Sequence, residues 1–198
     1  MKRSLFATTC LAATVMIPLF AWIAVMRPAP AAQPEGARAG SSSPADPVTR
    51  GKYLVTVAGC NDCHTPWKMG PAGPEPEMSR MLSGHPQDME LPAPPQLPAG
   101  PWLVTVAGTN TAWAGPWGVS FTANLTADPE TGLGRWTLRN FVDTIRTGRH
   151  MGRGRPILPP MPIPMYKHFT DEDLHAIYSY LRTIPVVNNR VPEPLPPR

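Results

Sequence analysis

Hydrophobic and polar positions fall into blocks along this chain, and the period changes from block to block. Leu5–Met26 is a run of 22 positions without a charge. At about 1.5 Å rise per residue, a helix of that length crosses a bilayer core of roughly 30 Å. Lys2 and Arg3 precede the run, which favours a cytoplasmic N-terminus and an exported remainder. Ala29-Pro30-Ala31 offers a small-x-small cleavage site. Residues 1–31 therefore read as an uncleaved membrane anchor, which the length fits better, or as a signal peptide. Residues 32–47 are small, polar and Pro-containing and read as a flexible linker.

Helical periodicity begins after the linker. Tyr53, Leu54, Val57 and Ala58 share one face of a helix over 49–59. A second helix is expected over Thr137–Thr147, with Leu138, Phe141, Val142 and Ile145 on one face and Gly148 as its stop. A third starts at Thr170, a capping residue followed by Asp171, Glu172 and Asp173 where the helix dipole favours acids. Its apolar face is Leu174, Ile177, Tyr178 and Leu181. The string Leu-Val-Thr-Val-Ala-Gly occurs at 54–59 and again at 103–108. The first copy reads as helix and the second as extended. Residues 191–198 are Pro-rich and are expected to be a disordered tail, which leaves 48–190 as the folded domain.

Composition narrows this picture. Of 198 residues, 28 are Pro and 16 are Gly, and only 16% are charged. Proline removes the backbone donor that a large sheet or a long helical bundle needs. The expectation is a small core wrapped in long, stiff, irregular segments. The net charge of +4 is mostly N-terminal, since Lys2, Arg3 and Arg27 lie there and every acid lies later. From residue 32 onward there are 15 basic residues against 14 acidic. That near-balance argues against nucleic acid as a partner. No nucleophile elbow, phosphate loop or carboxylate pair is visible, so no catalytic residues are assigned.

The chemistry lies at Cys60-Asn61-Asp62-Cys63-His64. C-x-x-C-H is the covalent attachment site of a c-type haem. Two intervening residues let both sulfurs meet two vinyl groups of one ring, and the adjacent imidazole reaches the iron. A structural zinc site would want a second ligand pair, and the chain has no second Cys pair. A thioredoxin-like motif would need a βαβ setting, and a plain disulfide would leave His64 unexplained. Cys10 lies in the apolar run and reads as inert.

A haem iron with one His has an open face. Methionine there suits electron transfer, whereas an empty face permits gas binding or peroxide chemistry. Arg155–Tyr166 holds five Pro between 156 and 165 and is expected to run extended. Met161, between Pro160 and Pro162, is the first candidate for the second axial ligand. Met165, Met151 and a His are the others. His85, His150, His168 and His175 read as surface residues. The arginines at 135, 139, 146, 149, 153 and 155 suit haem carboxylates or an acidic redox partner, or form an ordinary solvated face.

A helix, C-x-x-C-H, a late Met loop and a closing helix together resemble a class I c-type cytochrome. Ser120–Thr126, Thr131–Thr137, Pro159-Pro160-Met161-Pro162, Asp173-Leu174 and Tyr180–Arg182 resemble the cytochrome subunits of membrane-associated bacterial alcohol and aldehyde dehydrogenases. The resemblance covers about 48–187. It implies Cys60 and Cys63 for attachment, His64 as proximal and Met161 as distal iron ligand. It also implies an all-α, cytochrome c-like fold whose first and last helices cross, with long Pro-rich loops, preceded by a transmembrane or signal helix. Those subunits carry three C-x-x-C-H domains and this chain has one. The expectation is a monohaem electron carrier, not an enzyme in its own right. It would sit on the periplasmic side of a bacterial inner membrane, or be soluble there after cleavage. Its partners would be a dehydrogenase or quinol-oxidising complex and a downstream cytochrome or oxidase. A peroxidase-like catalyst or a gas or redox sensor would need an open distal face.

Overall fold

The computed structural model describes residues 46–197. The anchor or signal segment and all but the end of the linker lie outside the described residues. Asp46 Oδ accepts from Thr49 N at 3.0 Å, and Pro47 sits at the first helical position, where a missing N–H costs nothing. Helix α1, Pro47–Val57, thus starts inside the last linker residue. Its buried face is Gly51, Leu54 and Val55, whereas Tyr53 and Val57 are exposed. The face expected from Tyr53 and Val57 is corrected by Gly51. A Cβ at Gly51 would lie 2.0 Å from the Ala176 carbonyl oxygen, so the glycine lets α1 press backbone to backbone on the last helix.

Gly59, in the left-handed region at φ 67°, turns the chain into the short helix α2, Cys60–His64. Helix α3 is Leu138–Thr147, held by a reciprocal cap between Thr137 and Asn140 and ended by a left-handed Gly148. Helix α4 is the four-residue turn Ile163–Tyr166. Helix α5, Asp171–Leu181, is capped by Thr170 Oγ, which accepts from Asp173 N at 3.0 Å. Leu174, Ala176, Ile177 and Leu181 of α5 join Leu54, Val55, Phe141 and Ile145 in one core. Arg50 ties α1 to α5 through Asp173 at 2.9 Å.

The all-α expectation is overturned. Between α2 and α3 lie two small antiparallel sheets. Strands β1 (Trp67–Gly70) and β2 (Gly73–Pro76) form a hairpin. Strands β3 (Thr105–Val106), β4 (Ala112–Gly115) and β5 (Gly118–Phe121) form the second sheet in that order. This stretch is too rich in Pro and Gly to continue a helix, and short edge pairings satisfy its backbone instead. The two copies of Leu-Val-Thr-Val-Ala-Gly differ as expected, one largely in α1 and the other carrying β3.

Two further corrections concern the C-terminal half. Residues 191–198 do not fray throughout: Leu195 exchanges both backbone hydrogen bonds with Val119 of β5, at 3.0 and 2.9 Å. The Pro-rich 155–166 segment is not extended to its end, because α4 closes it. Among the described residues no helix is long and apolar enough to cross a membrane.

Candidate haem attachment site

Helix α2 places Cys60, Cys63 and His64 on a single turn and a half. The two residues between the cysteines are held from outside. The Asp62 carbonyl accepts from Trp67 Nε1 at 3.1 Å and from Asn110 Nδ2 at 2.7 Å, and Asn61 Oδ1 accepts from Thr65 Oγ1 at 2.8 Å. The motif is therefore clamped by β1 and by the turn before β4.

His64 is buried, and its Nδ1 lies 2.7 Å from the Ala123 carbonyl. A carbonyl can only accept, so Nδ1 carries the proton and Nε2 keeps its lone pair. Burial holds the imidazole below its ordinary pKa, with the Ala123 bond opposing, so the ring is a neutral nitrogen donor. Both thiols are free. Burial pushes Cys60 up to about 11, with Asp62 and Cys63 adding to it, and Cys63 is raised mainly by burial as well. Thiols of that kind are poor thiolates. Dithiol redox motifs work with a lowered pKa, so the setting disfavours that use of C-x-x-C. No group of three or more His, Cys, Asp or Glu able to hold a metal ion occurs among the described residues.

The motif adjoins the apolar core, which Cys60 itself touches. Cys60, Met81, Leu125, Trp136, Met161 and Tyr166 pack, partly buried, against the core. Two half-buried free thiols and one buried, neutral imidazole with a free Nε2, set beside the apolar core, are a donor set that fits covalent haem.

The Met161 loop is fastened to the same neighbourhood. Ser120 Oγ of β5 donates to the Pro159 carbonyl at 2.6 Å, three residues before the Ala123 carbonyl that receives His64. Tyr166 of α4 donates its hydroxyl to the Ala58 carbonyl, just ahead of Cys60. Burial and the two thiols push that phenol up to about 12, so it stays a donor. Met161 is partly buried, whereas Met165 is 73% exposed.

Other sequence-singled residues fall elsewhere. His168 and His175 are exposed as expected, but His85 is fully buried, with Nδ1 2.9 Å from Thr111 Oγ1. His150 is half-buried and stacks on Trp136. Of the six arginines, five engage local partners: Arg135 with Glu130, Arg139 with Asp143, Arg146 with Asp171, Arg149 with the Gly154 carbonyl and Arg155 with Glu193. The sequence reading missed the Ala123 carbonyl, Asn124 and Asn189. Asn124 carried a signal, since a polar residue inside the apolar-flanked Phe121–Leu125 stretch needs internal partners.

No family model matches the chain. Curated relatives do. It is 35% identical over 77 residues to a nicotinate dehydrogenase subunit of Pseudomonas putida, covering 39% of this chain and 6% of that protein. It is 35% identical over 65 residues to the cytochrome c subunit of the quinone alcohol dehydrogenase of Gluconobacter oxydans, covering 33% and 13%. It is 26% identical over 136 residues to the fructose dehydrogenase cytochrome subunit of Gluconobacter japonicus, covering 69% and 21%. The resemblance to dehydrogenase cytochrome c subunits expected from the motifs is borne out. The chain spans about a fifth or less of the length of these three relatives.

Proposed function

We propose that this chain is a monohaem c-type cytochrome that passes single electrons between a dehydrogenase or quinol-oxidising partner and a downstream acceptor. The observation that carries the reading is His64. It follows Cys63 directly, is buried, and spends Nδ1 on Ala123, which leaves Nε2 for iron. Haem c, when bound, supplies a one-electron iron couple. Cys60 and Cys63 would hold it by thioethers, and His64 would ligate it. Met161 would be the second ligand, since its loop is fastened by Ser120 and it is less exposed than Met165. Trp136, Leu125 and Tyr166 would keep water from the ring.

Lys2, Arg3 and the uncharged Leu5–Met26 run support export, so the domain would work in the periplasm or at the outer face of the inner membrane. The names of the relatives support a dehydrogenase as the electron donor.

The test is a visible spectrum of the protein from a host that attaches haem c, oxidised and reduced, with and without carbon monoxide. The expected result is one haem per chain and a low-spin spectrum that carbon monoxide leaves unchanged. A clear carbon monoxide shift would remove the Met161 ligand and favour catalysis or sensing. A haem-free product would sink the reading entirely.

A further inference from the structure

The geometry points to Asn189, acting with Asn124, as a positioning residue for the His64 imidazole. This rests on the reading of His64 as an iron ligand. His64 meets the protein behind it at two backbone groups. Its Nδ1 donates to the Ala123 carbonyl at 2.7 Å, and its own carbonyl accepts from Gly84 N at 2.8 Å. Ala123 and Gly84 lie on two segments outside any helix or strand. These segments are joined to each other, since His85 N donates to the Thr122 carbonyl at 2.9 Å and Leu125 N to the Leu82 carbonyl at 2.8 Å. A Cβ at Gly84 would lie 2.4 Å from the Thr122 carbonyl oxygen, so the approach is close. A pair of irregular segments does not by itself hold a carbonyl in place for one ring nitrogen.

One side chain that holds it comes from the far end of the chain and the other from the residue after Ala123. Asn189 is 1% exposed and lies after α5. Its Nδ2 donates to the Ser83 carbonyl at 2.7 Å and the His85 carbonyl at 2.8 Å, one on each side of Gly84. Its Oδ1 accepts from Gln87 N at 2.9 Å. Asn124, next to Ala123 and 3% exposed, donates Nδ2 to the Val187 carbonyl at 2.8 Å and accepts on Oδ1 from Thr126 N at 3.0 Å. Asn189 thus brackets Gly84, and Asn124 ties the residue after Ala123 to the segment that carries Asn189. Neither amide is left short of partners, which is what makes a buried polar network rigid.

Fixing the Ala123 carbonyl fixes the proton on Nδ1 and the plane of the ring, and hence the direction of the Nε2 lone pair. Partners of this kind orient and tune a metal-bound imidazole.

The test uses the haem-loaded protein as isolated and follows solvent exchange of the His64 Nδ1 proton by NMR. Asn189→Ala is expected to exchange at least tenfold faster than the wild type. Leu174→Ala, a core cavity in α5 that breaks none of these bonds, is the control and is expected to leave the rate unchanged at an equal or larger loss of melting temperature. Should Asn189→Ala not fold, Asn124→Ser removes the tie from the Ala123 side and is expected to show the same acceleration. An Asn189→Ala or Asn124→Ser protein that exchanges no faster than Leu174→Ala overturns the positioning role. A wild type that binds no haem overturns the reading of His64 instead.

Discussion

His85 shows what burial does to a single side chain. It is 0% exposed, packs against Phe121, and bonds Thr111 through Nδ1, while its Nε2 is buried without a partner. Burial lowers its pKa below 6.5, and Arg80 adds to the effect, against the Met89 backbone and Asp88. A histidine depressed in this way stabilises the fold fully above its unfolded pKa, and that stability is lost as pH falls below about 6.5. The urea midpoint is therefore expected to drop between pH 7.5 and pH 5. His85→Phe, which keeps the ring against Phe121, is expected to drop less. Equal drops in the two proteins would remove His85 as the cause. Asp46 and Asp128, both lowered mainly by hydrogen bonds, titrate below this window, whereas His64 and His150, also lowered by burial, account for the drop that remains in His85→Phe. The methionines give a second residue-level expectation. On the proposed haem reading, Met161→Leu is expected to make the reduced protein bind carbon monoxide, and Met165→Leu is not, by difference spectra. The C-x-x-C-H motif stands out in the sequence because its residues are adjacent, and the structure keeps them together on α2. The Ala123 carbonyl does not stand out, because any residue can offer a backbone oxygen.

At the scale of elements, α1, α3 and α5 were legible, whereas α2, α4 and every strand but β3 were not. Thr137, Gly148 and Thr170 are caps whose chemistry acts within one turn, and each marks its helix end in the structure. The strands run two to four residues, too short for an alternating pattern to show. Their turns left a trace nonetheless. Both hairpins close on Gly-Pro-x-Gly, at 70–73 and 115–118, with the glycines paired across the turn. Pro suits the second turn position, and the last glycine adopts positive φ, 121° at Gly73 and 93° at Gly118. The contact between α1 and α5 makes a sharper demand. Ala in place of Gly51 would favour an isolated helix by about 1 kcal/mol. Here its Cβ would meet the Ala176 carbonyl at 2.0 Å and Tyr180 Cβ at 2.7 Å. Overpacking of that kind costs about 1–3 kcal/mol or more and outweighs the propensity gain. Gly51→Ala is expected to lower the urea midpoint, and an unchanged or higher midpoint would show that α1 can shift away from α5.

For the whole molecule, the chain after α5 acts as a strap, and nothing in its composition announced that. Pro-rich ends usually fray because they bury little. This one is retained by scattered polar bonds whose partners lie far away in sequence, and local patterning carries no record of them. Arg182 reaches the Leu133 and Gly134 carbonyls, Asn188 reaches Asp128, Asn189 reaches Ser83 and His85, and Leu195 pairs with Val119. The strap thus joins the helical core, the loop before α3, the segment behind His64 and the second sheet. Its two halves are not equivalent. Ending the chain at Arg190 removes two backbone bonds to β5 and the exposed Arg155–Glu193 pair. Surface pairs contribute little and each backbone bond contributes about 0.5–1.5 kcal/mol, so the loss should be about 1–3 kcal/mol. Ending it at Val186 also removes Asn189, leaving Asn124 and the carbonyls flanking Gly84 without their buried partners. Each such group costs about 1–3 kcal/mol, and several together approach the whole stability of a small domain. The Arg190-terminated protein is therefore expected to melt cooperatively at a lower temperature. The Val186-terminated protein is expected to lose its cooperative transition. Equal behaviour of the two truncations would mean that Leu195, not Asn189, holds the strap.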